Sequence, residues 1–319
     1  MIRARQVVPL ATVALMAGAV PSAASSQETR PVSGLQRLLE AELARFPGRA
    51  GVWVKHLSQG EVAGVRADET FNSASVIKLA VLVLAFQLAD RGELSLAERL
   101  TITESDVRGG SGIFRYHDPG LQPTLRDVLL QMVITSDNTA TDLAIARVGG
   151  TGRVNAWLRE NGYGDAVKLT QTTGELFARY AALPQGANRN EKTNADRTYW
   201  LGEMTPRATG QLLEAIQRCA DGTPSPPVAT QASCRDMMRM LRAQQAGARR
   251  LPHYVSVGVA HKTGDFPPVL ANDVGILFAR SGPIVVAFFA NAIEGPYGEA
   301  EDRIGRLAQL IVGYFDGSR

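Results

Sequence analysis

The apolar positions along this chain change period several times, and each change predicts an element. In "LQRLLEAELARF" (residues 35–46) they recur every three to four residues, as on one face of a helix. "GVWVKHL" and "EVAGV" then read as two strands joined by a turn at residues 58–60. "FNSASVIKLAVLVLAFQLAD" (residues 71–90) is apolar on every side, which predicts a helix buried all round. From Ser75 to about Arg242 the pattern stays mostly helical, through "TLRDVLLQMVITS", "TATDLAIARV", "RVNAWLREN" and "TPRATGQLLEAIQRC". Strands return in "YVSVGVAHKTG", "NDVGILFAR" and "PIVVAFFANA", and an amphipathic helix follows over residues 301–314. Strands near both ends with helices between them predict one sheet drawn from both parts of the chain and a helical lobe inserted into it. The expected division is an α/β lobe from residues 27–70 and 250–319 and an all-α lobe from residues 71–249.

The first 26 residues stand apart from these elements. Arg3 and Arg5 precede an apolar run over residues 7–20, and small residues follow at 22–24, which is the layout of a secretory signal. The run of about 14 residues falls short of the roughly 20 that span a bilayer. No cysteine follows it to accept a lipid. The expectation is a secreted or periplasmic monomer with no stable membrane anchor once residues 1–26 are removed.

Composition narrows the classes further. With 319 residues, 45% of them hydrophobic, the chain can bury a large core close to the size at which one core divides into two. The net charge is +3, but arginines and acids are interspersed, which disfavours nucleic acid as a partner. The four histidines show no metal-ligand spacing and no glycine-rich phosphate loop precedes a lysine, so neither metal nor cofactor is expected. Cys219 and Cys234 flank a turn-rich stretch between two helical patterns, which leaves two free buried thiols or a local disulfide. Because that stretch must turn to join neighbouring helices, the bridge is the expectation.

The chain has only five lysines against twenty-nine arginines, yet Lys78 lies inside the all-apolar helix. A buried lysine can lose its proton and act as a base, which an arginine cannot. Ser75 precedes it by one helical turn, on the same face and near the positive end of the helix. Two further short runs carry polar chemistry: Ser136-Asp137-Asn138 between two helices, and Lys262-Thr263-Gly264 at the end of a predicted strand. S-x-x-K, S-D-N and K-T-G in this order form a known serine acyl-transfer set.

On these motifs, and on "GGSGIFRY", "MTPRATGQLLEAI" and "NDVGI" around them, essentially the whole chain after the leader resembles the class A serine β-lactamases. The resemblance implies the two-lobe β-lactamase/DD-peptidase-like fold, an antiparallel sheet flanked by helices with an inserted helical lobe. It implies a small-molecule β-lactam as substrate. Ser75 would attack its carbonyl, Lys78 would activate Ser75, and Ser136 would pass a proton to the leaving nitrogen. Asn138 would bind the side-chain amide, and Lys262 and Thr263 the carboxylate. Gly264 and Asp265 complete the substrate-binding strand, with the backbone N–H groups of Ser75 and Asp265 as the oxyanion hole. The alternatives are a penicillin-binding, D-alanyl-D-alanine peptidase-like hydrolase with slow deacylation, or a catalytically idle β-lactam or peptidoglycan binder.

Two departures from the family follow. Its R-x-E-x-x-L-N run, whose glutamate activates the deacylating water, is missing, and alignment puts that glutamate's place near Thr173. Glu191 in "RNEKTN", with Arg189 and Asn194 beside it, is the expected base, and Glu175 the other candidate. The family's carboxylate-binding arginine after K-T-G falls close to Asn272, where Arg249 or Arg250 would have to substitute.

Overall fold

The computed structural model of the chain describes residues 33–223 and 228–317, so the expected signal segment lies outside the described residues. The helix α1 (Gly34–Leu43) starts on the Ser33 hydroxyl, which accepts from the Gln36 N–H, and it buries Leu35, Leu39 and Leu43. Strands β1 (Arg49–His56) and β2 (Val62–Val65) pair antiparallel with Lys55 opposite Val62, as the turn between them predicts. After the short strand β3 (Phe71–Asn72), a 3₁₀ turn (Ala74–Ile77) leads into α2 (Lys78–Asp90). Every residue of α2 from Lys78 to Leu88 is buried, which is what an all-apolar helix requires. Packed against it are α3 (Leu125–Ile134), α4 (Asn138–Arg147) and α5 (Gly150–Glu160).

Next come β4 (Val167–Leu169), α6 (Thr173–Ala181), α7 (Arg189–Ala195) and β5 (Gly202–Met204). Strands β3, β5 and β4 pair in that order as a small antiparallel sheet that the apolar pattern did not announce, because runs of two or three residues are too short to alternate. The helices α8 (Pro206–Asp221) and α9 (Gln231–Arg242) are bridged by a disulfide between Cys219 and Cys234, whose Cα atoms are 5.8 Å apart. A meander of β6 (Gly258–Phe266), β7 (Leu270–Ala279) and β8 (Gly282–Asn291) precedes α10 (Tyr297–Asp316).

The main sheet has the order β2-β1-β8-β7-β6, antiparallel throughout. Its central strand β8 is buried on both faces. Ile284, Val286 and Phe288 pack with α1 and α10, while Val285, Ala287 and Phe289 join the core shared with α2 and the other helices. This two-sided burial explains the unbroken apolar run in β8. β6 begins at Gly258 and not at Tyr254, because Gly258 already pairs with Phe278, one residue from the end of β7. Among the described residues no helix is long and apolar enough to cross a membrane.

Candidate active site

Three backbone segments converge at one cavity of about 360 Å³: the 3₁₀ turn bearing Ser75, the α3–α4 junction, and the C-terminal half of β6. The turn is held from the sheet. Asn272 on β7 donates to the carbonyls of Asn72 (2.9 Å) and Ser73 (3.0 Å), and the Asn72 N–H donates to Asn291 Oδ1 on β8 (2.7 Å). β6 runs directly against it. A Cβ on Gly264 would lie 2.4 Å from the Ser73 carbonyl oxygen and 3.2 Å from the Ser75 nitrogen, so only glycine permits this approach.

The α3–α4 junction carries the S-D-N run. Ser136 has φ 54°, a left-handed conformation that costs a non-glycine residue about 1–3 kcal/mol and is kept only where neighbours fix it. Its carbonyl accepts from Lys78 Nζ (2.7 Å) and from the Ser111 hydroxyl (2.7 Å). Asp137 caps α4 through the Ala140 N–H (2.9 Å) and, with its other oxygen, takes the N–H groups of Ile113 (2.7 Å) and Phe114 (2.8 Å). Gly112 has no room for a side chain there, since its Cβ would lie 2.3 Å from the Asp137 carboxylate. The glycines of "GGSG" were the visible sign of that packing; the part Ser111 plays in it had none.

Lys78 and Lys262 are both fully buried and meet at one hydroxyl. Ser136 Oγ lies 3.2 Å from Lys78 Nζ and 3.0 Å from Lys262 Nζ. Lys78 also donates to Asn138 Oδ1 (3.0 Å), and Lys262 to the Thr263 carbonyl (2.8 Å). Burial pushes the Lys78 amine well below its ordinary value, and the neighbouring Lys262 pushes it the same way. Burial likewise brings Lys262 down to about 7, against the pull of Asp265 and Asp273. Among the described residues Ser75 Oγ has no hydrogen-bond partner, so the expected contact with Lys78 one turn away is not made in this state: the S-D-N junction supplies all three of the acceptors that the amine uses. Ser75, Ser136, Asn138 and Asp265 line the cavity, whereas Lys78, Lys262 and Thr263 lie behind its wall. The buried Thr263 hydroxyl has no partner among the described residues.

The expected base is not brought to this constellation. Glu191 is exposed on α7, whose buried residue is Thr193, two positions away and so on a different side of the helix. Glu175 is exposed too and is used as a helix cap, accepting from the Thr172 N–H (2.8 Å). The residue that lines the cavity is Thr173, buried, with Oγ1 2.8 Å from Asp142 Oδ1 and 3.2 Å from the Asn138 carbonyl. Asp142, on α4, also takes the N–H groups of Thr173 (2.7 Å) and Gly174 (2.8 Å) and an ion pair from Arg108 (2.8 Å). That carboxylate, which no motif in the sequence marked, already accepts from Arg108, from the Thr173 N–H and hydroxyl and from the Gly174 N–H. Leu176, Phe177, Tyr180, Tyr199, Phe266 and Pro267 give the cavity an apolar wall.

The two arginines separate. Arg249 pairs with Asp302 at the surface (2.8 Å), outside the cavity lining. Arg250 is buried beside the site, where it donates to the Asn272 carbonyl (2.9 Å), pairs with Glu301 (3.0 Å) and forms a short ion pair with Asp265. The position expected to lack an arginine is therefore reached by one from another segment, and an internal carboxylate occupies it.

An antiparallel sheet joined to a helical lobe, with a serine, two buried lysines and a second serine at one cavity, defines a serine hydrolase of the two-lobe class. Comparison with known proteins places it further. The profile of the β-lactamase enzyme family matches residues 34–315, and the chain belongs to that family. It is 32% identical over 271 residues to β-lactamase L2 of Stenotrophomonas maltophilia, covering 83% of this chain and 82% of that one. Its fold matches an ancestral class A β-lactamase with a TM-score of 0.72 at 23% identity, covering 88% of this chain and all (100%) of that one. It also matches the L158E mutant of PBP-A in an acyl-enzyme complex with penicillin G, with a TM-score of 0.71 at 23% identity over 89% of this chain and 96% of that one.

Proposed function

We propose that β-lactams acylate Ser75 and that release of the acyl group is the slow step of their hydrolysis. The observation that carries this reading is the Ser136 hydroxyl shared between two buried lysines at the edge of the cavity that Ser75 lines. Lys78, whose charged form burial disfavours, gives up a bond to the S-D-N junction and takes the proton from Ser75 Oγ as that oxygen bonds to the lactam carbonyl carbon. The backbone N–H groups of Ser75 and Asp265 receive the oxyanion. As the lactam C–N bond breaks, Ser136 gives its proton to the nitrogen and recovers one from a lysine on either side. Asn138 holds the side-chain amide, while Lys262 and Thr263 act on the substrate carboxylate from behind the cavity wall, next to Gly264.

A general base positioned on the deacylating water contributes about 10²–10⁴-fold. Near the family's place for that base stands Thr173, the carboxylate beside it, Asp142, already takes four donors, and Asp265 across the cavity is held by Arg250 and Tyr297. Lys78 is then the group left to activate water. This supports a long-lived acyl-enzyme, closer to the penicillin-binding, peptidase-like reading than to a fast lactamase. Intact-mass measurement after exposure to benzylpenicillin tests it: one persisting adduct is expected, absent from Ser75→Ala. An adduct retained in that variant rules out the assignment.

A further inference from the structure

We propose that Asp265 is a specificity-determining residue that favours β-lactams bearing a cation next to the ring carboxylate. The inference rests on the acylation of Ser75 proposed above. Asp265 lines the cavity with Ser75 and directly follows Gly264, the point where β6 comes closest to the nucleophile turn. Its Oδ1 is held by Arg250 and by the Tyr297 hydroxyl (3.0 Å), which fixes the side chain. Its Oδ2 has no hydrogen-bond partner among the described residues, and the side chain is 31% exposed. Arg250 does not cancel this charge, because one guanidinium faces both Asp265 and Glu301. Lys262 and Thr263, the expected carboxylate binders, are fully buried. The charged side chain that an incoming ring first meets on this strand is therefore an anion.

Every β-lactam of the penicillin and cephalosporin classes carries a ring carboxylate, which Asp265 repels. In a cephalosporin the carbon bearing that carboxylate is bonded to the carbon bearing the exchangeable C3 substituent. A cation on that substituent sits beside the ring carboxylate and turns the encounter with Asp265 from repulsion towards attraction. Neutral substituents gain nothing there.

Cephaloridine and cephalothin share one acyl side chain and differ in a pyridinium against an acetoxy group at C3, so they isolate this charge. The second-order rate constant for acylation of Ser75 is measured for both by rapid mixing and intact mass, in the wild type and in Asp265→Asn. Asparagine keeps the shape and an acceptor for Tyr297, and the ratio of the two compounds cancels differences in their intrinsic reactivity. The pyridinium-to-acetoxy ratio is expected to fall about fivefold in the variant, the scale of a partly exposed charge pair. A ratio that stays within about twofold of the wild type, or rises, overturns the proposal. If loss of the Arg250 partner prevents the variant from folding, the wild-type ratio is followed against added salt. It must then fall as screening rises, and a salt-independent ratio overturns the proposal equally. Absence of any Ser75 adduct with both compounds in the wild type instead refutes the acylation reading, so the two failures are told apart.

Discussion

The wall built from the 3₁₀ turn, the α3–α4 junction and β6 and the wall built from residues 173–200 face one cavity, yet they are made in opposite ways. The first is polar and locked through the backbone: Asn272 on the carbonyls before Ser75, Asp137 on the amides of the 111–114 loop, two donors on the Ser136 carbonyl. The second is held by rings. Tyr180 packs on Tyr199 (centroids 5.0 Å apart) and on Phe266 (5.3 Å), with its hydroxyl on Thr193 (2.6 Å). In the proposed mechanism the groups that move protons belong to the first wall, and among the described residues the second lines the cavity with Thr173, Leu176, Phe177, Tyr180, Thr193 and Tyr199 and with no carboxylate. On the proposed reading, forming a covalent bond to Ser75 and releasing it are therefore separable, the first depending on the polar wall and the second on the ring-lined one.

The largest effect is expected on the polar wall. Lys78→Arg places a permanent cation where a neutral amine is needed, and acylation should slow by about 10³-fold. Stopped-flow adduct formation measures this, and a near-normal rate removes Lys78 from its role. The opposite wall is tested by gain. Thr173→Glu puts a carboxylate into the cavity lining and should speed deacylation by about 10²-fold while leaving acylation nearly unchanged. No acceleration in a folded variant means that the missing base is not what limits release.

A third test uses the cost of keeping the lysines buried. Lys262 titrates at about 7 in the folded protein and at its ordinary value, near 10.5, in the unfolded chain. Between these values the unfolded chain holds more protons, so stability must rise with pH across that window, by up to about 1.4 kcal/mol per pH unit from one such group. The lowered Lys78 adds in the same direction. Urea midpoints from pH 7.5 to 9.5 should climb in the wild type and climb less in Lys262→Met. A flat wild-type profile contradicts the buried-lysine geometry. The smallest effect is expected from Glu191→Gln and Glu175→Gln, whose acylation and deacylation rates should match the wild type. A long-lived adduct appearing only in Glu191→Gln would return the base to α7.

Much of the polar wall was legible in the sequence because each motif is short and its residues reach one another through local geometry. The odd lysine in an all-apolar helix and the glycine before Asp265 are readable without tertiary information. What failed to read was one local feature and otherwise whatever depends on a partner distant in the chain. Counting along the loop led to Glu191, but Thr172 and Glu175 close a capping box that starts α6 just there and leaves Thr173 at the cavity. Asp142 looked like one more helix residue, and only the fold brings Arg108 and Thr173 to it. The Lys78 amine was expected on Ser75 from spacing along one helix, yet better acceptors come from a junction 58 residues away. The strand order, with β1 beside β8, follows from the same long-range pairing. The apolar pattern indicated that the sheet draws on both parts of the chain, and it did not give the order.

The separation of acylation from release is tested most directly by mixing the protein with excess chromogenic cephalosporin and following product from the first milliseconds. The account predicts a rapid burst of one equivalent per protein, followed by a much slower steady rate, with the acyl group on Ser75 throughout the slow phase. A linear trace of many fast turnovers without a burst, or a burst that survives in Ser75→Ala, would contradict it.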